Sequence, residues 1–505
     1  MMLLIVFGAS YLAYNLQAIT SNPLAVFAES DEENKDFLIA RTIRELDLNV
    51  PPPLRYFIWL RGILGLFVGQ FDPGQTRDGF PVWDAIALAI PTTFRLVIAS
   101  TILAIILGIS IGLVTAMRQY SRFDYVMTFI SFLLFSLPVF WVAALLKEYM
   151  AIGFNDFLVQ PEITPPFLIG FSLFAGVTMA GIMGGSRNKS LTVFLGVSAL
   201  TGVLLQFMSL TKWFTNPGLG FIGVAVLTLG FAVLVAHISS GLENRKALWS
   251  SLGAALSTII LYYPISSMLV PSSTLLTLVL TFAALAGAAS IFAFFMSKVD
   301  RHVNIRTALI TSVFGFSFLI VDRFMREFNA YMYSDAVNGR PVPTISQSND
   351  LLTDAQRADF WVSGLDVVMH LVLPTIALTL ISFAGYVRFS RGSLLEVLNM
   401  DYIRTARAKG LTERTVIVRH ALRNAMLPLT TILVNDFAGV IGGAIITEGV
   451  FGWKGMGQLF NDSIRNYDLN LFMGVFIISA TLTVLANLVA DLLFGVVDPR
   501  IRLRK

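Results

Sequence analysis

Twelve apolar runs constrain this chain more than any other feature, because runs of this length cross a bilayer as helices. Charged residues make up 13% of the chain, against about 25% in soluble domains. Inside hydrocarbon the backbone must satisfy its own hydrogen bonds, which an α-helix does within one segment. We therefore predict an all-α, polytopic membrane helix bundle. Its spans are expected near residues 2–19, 84–117, 125–150, 167–183, 191–210, 219–236, 250–269, 274–296, 307–321, 367–387, 429–446 and 471–493.

Basic residues gather in alternate loops between these runs. Because positively charged loops stay in the cytoplasm, the alternation predicts cytoplasmic N- and C-termini and external segments at 325–360 and 449–468. The first run has no basic stretch before it and no small-residue cleavage site, so we interpret residues 2–19 as a retained span and not as a signal peptide. The net positive loops are residues 118–124, 186–189, 243–246 and 298–306.

The residue inventory excludes several kinds of chemistry. The chain has no Cys, so it cannot form a disulfide or a thiolate metal site, and four His give little material for another metal site. The stretch from Gly184 to Ser190 contains a Lys-Ser pair but lacks the Gly that precedes Lys in a phosphate-binding loop. No nucleophile and base form a catalytic set. We predict that the chain is not an enzyme and binds no metal and no cofactor itself.

Residues 388–428 form a polar island with a net charge of +5, which places it in the cytoplasm. The pattern predicts two short helices, with Asp401 capping the first and Gly410 ending it in a left-handed conformation. Thr412 is expected to cap the second helix, which should run to about Asn424. Charge alone favours a solvated juxtamembrane loop or a patch for anionic lipid headgroups, but the order of residue types argues against both.

That order resembles the EAA loop of ABC-importer permeases, specifically of the dipeptide, oligopeptide and nickel permease family. The resemblance continues at Pro91-Thr-Thr, at Ser136-Leu-Pro-Val-Phe-Trp141 and at Glu448-Gly-Val-Phe. It departs from the family at Lys454, where the family usually has Pro. The matching island residues, which the resemblance implies dock the ATPase, are Asp401, Tyr402, Arg404, Thr405, Ala406, Arg407, Ala408, Lys409, Gly410 and Leu411.

The resemblance implies a permease subunit of a prokaryotic plasma (inner) membrane that translocates a di- or oligopeptide, or a related solute such as a nickel complex. Its implied partners are a second permease subunit, two ABC ATPase subunits that carry ATP and Mg, an extracytoplasmic solute-binding protein and the lipid bilayer, but no nucleic acid. An ion-coupled secondary carrier is the alternative. Such a carrier needs buried carboxylates or broken helices near the midplane and usually an internal repeat, whereas this chain offers only Asp436 as a candidate and no repeat that relates its halves.

The resemblance covers about residues 37–150 and 365–505, and six apolar runs lie between these two parts. Because those six runs are apolar all round, we expect a peripheral module that stabilises the protein or binds a partner. A gate or a second substrate site is the alternative. The predicted regions are 1–150 as the first half of the permease core, 151–365 as the inserted membrane module with an external loop, and 366–505 as the second half.

Four residues are candidates for the translocation pathway. Asn435 and Asp436 lie within an apolar run, where an ionisable group is costly and marks a functional site by default. Pairing with a neighbouring helix, or a position near the cytoplasmic interface, is the alternative for both. Ser136 and Pro138 lie in the third run, which Pro138 is expected to kink.

Overall fold

A computed structural model describes residues 2–24, 35–296, 301–426, 428–430, 432–433 and 444–497. Over those residues the regular structure is helical, apart from one isolated bridge between Gln75 and Pro81. The predicted all-α class is therefore confirmed. The chain forms two compact units, of which the first comprises Met1–Glu148, Thr344–Gln347 and Leu371–Lys505, and the second comprises Tyr149–Pro343 and Ser348–His370.

The first unit opens with six helices, and the last two are separated by a sharp break. The helices on either side of Leu137 and Pro138 meet at 102°, so the third predicted run is a broken pair and not a kinked single span. Proline lacks a backbone donor and forces the preceding residue out of the helical region, and Leu137 is accordingly extended. These helices are α1 Met2–Thr20, α2 Lys35–Glu45, α3 Pro52–Leu64, α4 Val82–Met117, α5 Arg122–Ser136 and α6 Val139–Leu146.

The six runs predicted between residues 151 and 365 are all helical. α11 and α12 form a second broken pair, bent by 52°. α14 is 32 residues long and extends past the predicted run at both ends, because polar residues continue the helix there. After a π turn over Lys147–Ile152, the helices are α7 Gly153–Val159, α8 Pro165–Met183, α9 Arg187–Leu210, α10 Gly220–Ser240, α11 Arg245–Ile260, α12 Tyr262–Met268, α13 Leu275–Met296, α14 Arg301–Met332 and α15 Asp354–Ala358.

Eight of the described helices are long and apolar enough to cross a membrane, or ten spans if each broken pair counts as one. Two further predicted runs remain: α1 is a shorter apolar helix, and the run at 429–446 lies largely outside the described residues. The described helices that complete the chain are α16 Phe360–Leu398, α17 Asp401–Ala408, α18 Glu413–Thr415 with a π turn over Val416–Ala421, α19 Ile445–Phe451, α20 Met456–Arg465 and α21 Leu469–Val497.

Two glycines let α4 and α16 approach closely within the first unit. A Cβ atom on Gly108 would lie 2.4 Å from the Cβ of Tyr386, and one on Gly112 would lie 1.8 Å from the Oγ of Ser390. Ser390 Oγ donates to the Gly108 carbonyl oxygen at 3.2 Å. Small residues allow such backbone contact where hydrocarbon supplies no hydrophobic drive for helix association. This crossing fixes the C-terminal halves of α4 and α16 together.

The second unit buries polar side chains along α14, which corrects the prediction that the inserted runs are apolar all round. Thr307, Thr311 and Ser312 are fully buried, and each hydroxyl donates to the carbonyl oxygen four residues earlier. Ser251 of α11 also pairs with Thr311 at 2.9 Å. Because its own helix satisfies each hydroxyl, such a residue can be buried between helices.

Asp322 of α14 joins three parts of the second unit. Its Oδ1 accepts from the backbone N–H groups of Leu219 and Gly220, at 3.0 and 2.7 Å, where α10 begins. Its Oδ2 accepts from the hydroxyl of Tyr262 at 2.9 Å, at the break between α11 and α12, and also pairs with Arg326. The carboxylate is 2% exposed, so these partners replace the water it loses.

Candidate functional site

The first helix of the basic island, α17, ends as the sequence predicts. Gly410 adopts a φ of +75°, and its N–H donates to the Arg407 carbonyl oxygen at 2.9 Å. The N–H of Leu411 reaches the Ala406 carbonyl oxygen at 3.4 Å, which completes a Schellman motif. The predicted cap at the other end is wrong: Met400 is the N-cap and has no side-chain cap bond, and Asp401 is the first helical residue.

The second helix of the island begins at the predicted cap. Thr412 Oγ1 accepts from the Thr415 N–H at 3.4 Å. The helix then widens into a π turn over Val416–Ala421 and is still helical at residue 426, past the predicted end near Asn424. Asn424 Nδ2 donates to the Tyr402 hydroxyl at 2.9 Å and so connects the two helices of the island.

The inner face of α17 is apolar. Ile403 and Ala406 are buried in a cluster with Ala116 at the end of α4 and Leu394 near the end of α16. Ile403 was not singled out from the sequence, although the apolar pair of Ile403 and Ala406 at i and i+3 was the available signal. The cluster also contains Val416, Ala421 and Ala425.

The outer face of α17 is exposed and charged. Arg407 donates to Glu413 through Nε at 3.1 Å and through Nη2 at 2.6 Å. Its hydrogen bonds lower the pKa of the Glu413 carboxyl, and the same bonds raise the pKa of Arg407. The Arg407–Glu413 ion pair therefore bridges α17 and α18. The other predicted docking residues on the exposed surface are Asp401, Tyr402, Arg404, Thr405, Ala408, Lys409, Gly410 and Leu411.

A second cluster in the first unit brings two sequence motifs together. Glu448 is fully buried in α19; its Oε1 accepts from Thr93 Oγ1 at 2.6 Å and its Oε2 accepts from the Gln458 N–H at 2.9 Å. Thr93 Oγ1 in turn accepts from the Met456 N–H at 2.8 Å. Gly455 is required here, because a Cβ atom would lie 2.3 Å from Glu448 Oε1. We call these five residues the Glu448 cluster.

Burial dominates the electrostatics of the Glu448 cluster. Loss of water raises the pKa of the Glu448 carboxyl, although the hydrogen bonds from Thr93 and from the Gln458 backbone act in the opposite direction. Sequence reasoning had noted both motifs but had no basis for pairing positions 355 residues apart.

A short segment, Thr344–Gln347, lies beside the Glu448 cluster and belongs to the same unit. The Ser346 N–H donates to the Phe451 carbonyl oxygen at 2.9 Å. Thr92 Oγ1 donates to Gln347 Oε1 at 2.8 Å. The turn after α19 is therefore held from two sides, by α4 and by this segment.

Two of the four pathway candidates lie in the part of the chain that the structure describes. Ser136 is the last residue of α5, is exposed, and donates to the Leu133 carbonyl oxygen at 2.7 Å. Pro138 is the exposed N-cap of α6, so both residues mark the break between the two helices. Asn435 and Asp436 lie outside the described residues.

Replacement of Thr93 by Val should destabilise the protein. The substitution keeps the side-chain shape but leaves the buried Met456 N–H without an acceptor and removes one bond to Glu448, a loss of about 1–3 kcal/mol. Thermal unfolding of the purified protein in detergent measures the effect. Thr93→Ser retains the hydroxyl and is the matched control, so equal loss in the two variants would contradict this role for the hydroxyl.

Comparison with known proteins agrees with these motifs. The model of a family described as binding-protein-dependent transport system inner membrane component matches residues 247–503, and so begins inside the segment predicted as an insertion. The dipeptide transport system permease protein DppB of Escherichia coli (strain K12) is 49% identical over 141 residues, 28% of this chain and 42% of that protein. The oligopeptide transport system permease protein AppB of Bacillus subtilis (strain 168) is 47% identical over 136 residues, 27% of this chain and 43% of that protein.

A longer match is to the oligopeptide transport system permease protein OppB of Mycobacterium tuberculosis (strain ATCC 25618 / H37Rv). It is 32% identical over 228 residues, which is 40% of this chain and 70% of that protein. The chain thus matches less than half the length of DppB and AppB but more than two thirds of OppB. This multi-pass membrane protein belongs to the family of binding-protein-dependent transport system inner membrane components.

Proposed function

We propose that this chain is the transmembrane permease subunit of an ATP-binding-cassette importer for di- or oligopeptides delivered by an extracytoplasmic binding protein. The observation that carries the proposal is the two-sided character of α17. Its inner face, Ile403 and Ala406, packs on the ends of α4 and α16, and its outer face is exposed and charged. Such a helix can receive a push from a partner and pass it to two membrane helices. The names of the relatives support peptides as the solute.

Under this proposal, transport is divided among several protein chains. Two ATPase chains, which bind ATP and Mg, would dock on the exposed residues of α17 and on the turn at Gly410. A second permease subunit would complete the translocation pathway, and the binding protein would meet the opposite side of the membrane. This chain itself would bind no cofactor. ATP-driven closure would move α17 as a lever and switch the bundle between outward-open and inward-open states.

Gly410→Leu should uncouple transport from ATP hydrolysis. No atom lies within 4 Å of the Cβ position, so the left-handed backbone alone opposes the substitution. Leucine in that conformation costs about 1–2 kcal/mol, which displaces the turn. We expect binding-protein-stimulated ATP hydrolysis of the assembled transporter to fall about fivefold or more.

Gly410→Asn is the matched control, because Asn tolerates a positive φ better than other side chains do. It should keep most of the stimulated hydrolysis. Normal stimulation in the Leu variant would show that α17 and its turn are not the coupling element.

We also propose that α17 faces the cytoplasm, as do both termini, since basic loops stay on that side. The chain has no Cys, so single Cys probes can test this. Ala408→Cys should react with a membrane-impermeant maleimide only after the cells are permeabilised. Asp354→Cys, in the proposed external segment, should react in intact cells. Labelling of position 408 from outside intact cells would overturn the orientation.

We propose that residues 151–365, apart from Thr344–Gln347, form an accessory module that transport does not require. The buried hydroxyls of α14 support this, because each bonds to a carbonyl oxygen of its own helix, and those of Thr307 and Thr311 also bond to a hydroxyl of a neighbouring helix. A chain in which short polar linkers replace residues 151–343 and 348–365, so that Thr344–Gln347 stays beside the Glu448 cluster, should still assemble and take up a radiolabelled dipeptide. If the shortened chain assembles with its partners but uptake is lost, the module belongs to the transport pathway.

A further inference from the structure

The start of α5 is tied to α16 by a two-point ion pair. Arg391 donates to Asp124 through Nε to Oδ1 at 2.7 Å and through Nη2 to Oδ2 at 2.9 Å. The Asp124 side chain is 2% exposed, and that of Arg391 is 27% exposed. A bidentate pair fixes orientation as well as distance, and burial strengthens it.

Asp124 also organises the turn between α4 and α5. The Tyr120 N–H donates to Asp124 Oδ2 at 3.0 Å, and Tyr120 itself has a φ of +62°, which is unfavourable for its side chain. The Asp124 N–H donates to Ser121 Oγ at 3.2 Å, which caps α5. Thr128 Oγ1 approaches Asp124 Oδ1 at 3.4 Å. The Asp124 carboxylate therefore connects three elements: the loop between α4 and α5, the N-terminus of α5, and α16.

Most residues of α5 are exposed or half-buried. Of its 15 residues, only Asp124 and Ser131 are buried. Arg388, one turn before Arg391 on α16, lies over the ring of Phe135 with its guanidinium carbon 4.0 Å from the centroid. Arg388 and Arg391 thus hold the last and the first turns of α5 respectively.

The same stretch of α16 anchors the two short helices that follow it. Leu394 packs in the cluster that buries Ile403 of α17, and Ser393 Oγ donates to the Ala425 carbonyl oxygen at 2.8 Å. The residues of α16 that contact these helices therefore begin within one turn of Arg391. A displacement of α17 is expected to displace Arg391 as well.

We infer that the Asp124–Arg391 ion pair is the joint that passes movement of α17 to α5, which then turns about the break at Leu137 and Pro138. Asp124 and Arg391 are positioning residues, because they act through α5 and not on a solute. The inference rests on the proposed function, since it assigns a route to the movement that ATPase docking would produce.

Three variants of the full chain, assembled with its partner subunits, test the joint. Asp124→Asn leaves the partly buried Arg391 without its charge partner, which should impair assembly. The double variant Asp124→Asn/Arg391→Gln removes both charges, so assembly should be restored. Arg391→Lys keeps the charge but loses the two-point geometry. The readout is ATP hydrolysis with and without binding protein loaded from a casein-derived peptide mixture. Arg340→Lys, in the exposed pair of Arg340 with Asp156, is the control and should keep the wild-type ratio.

We expect the ratio of stimulated to basal hydrolysis to fall about fivefold in the double variant, although it assembles normally, and to fall less far in Arg391→Lys. Recovery of the wild-type ratio in the double variant would show a purely structural role and overturn the inference. If the double variant does not assemble, Arg391→Lys decides: a wild-type ratio there overturns the inference, and a lowered ratio supports it. Gly410→Leu is measured in parallel. A normal ratio of stimulated to basal hydrolysis in Gly410→Leu contradicts the proposed function. If the ratio is lowered in Gly410→Leu but normal in Arg391→Lys, only the inference about the joint is contradicted.

Discussion

The cost of burying a polar group away from water governs the polar contacts of this protein. An unpaired amide or hydroxyl costs about 2–7 kcal/mol in an apolar medium, and a lone carboxylate costs far more. Asp124, Asp322 and Glu448 meet this cost in the same way, since both oxygens of each carboxylate accept hydrogen bonds. The donors come from elements distant in sequence, so each carboxylate joins helices that the chain itself does not connect. The buried acids thereby act as fixed joints in a bundle whose other contacts are mostly apolar and non-directional.

Packing, not charge, holds the basic island in place. Burial of a side chain such as Ile403 contributes about 1.5–3 kcal/mol, whereas an exposed ion pair such as Arg407 with Glu413 contributes about 0–1 kcal/mol. The inner face of α17 therefore fixes its position on α4 and α16, and most of its charged groups stay exposed. This separation explains why α17 can be strongly basic and still be held in place, because Ile403 and Ala406 fix its position and its exposed Arg and Lys residues are not needed for that.

The sequence predicts the helices and some of their ends, because length, apolarity and capping chemistry are local properties. Gly410 and Thr412 were predicted correctly for this reason. Asp401 was predicted as a cap, but the chain turns helical one residue earlier, and an acid in the first turn still favours the helix dipole. The polar face of α14 was missed because Thr and Ser, averaged with their neighbours, leave a run apolar. The bond between Thr93 and Glu448 could not be predicted at all, since it depends on how helices pack and no local pattern encodes that.

α4 connects the two sites of the first unit, because it contributes a residue to each. Thr93 bonds to Glu448 near one end, and Ala116 packs against the island near the other. Twenty-three residues separate them, which is about 35 Å of α-helix at 1.5 Å per residue. That distance slightly exceeds the hydrocarbon thickness of about 30 Å, so a helix of this length that crosses a bilayer with little tilt would place the two sites near its opposite faces. A shift of α4 along its axis would act on both sites, because Thr93 is bonded to Glu448 and to the Met456 N–H, and Ala116 packs in the cluster that buries Ile403. The two sites of the first unit are therefore linked mechanically through one helix.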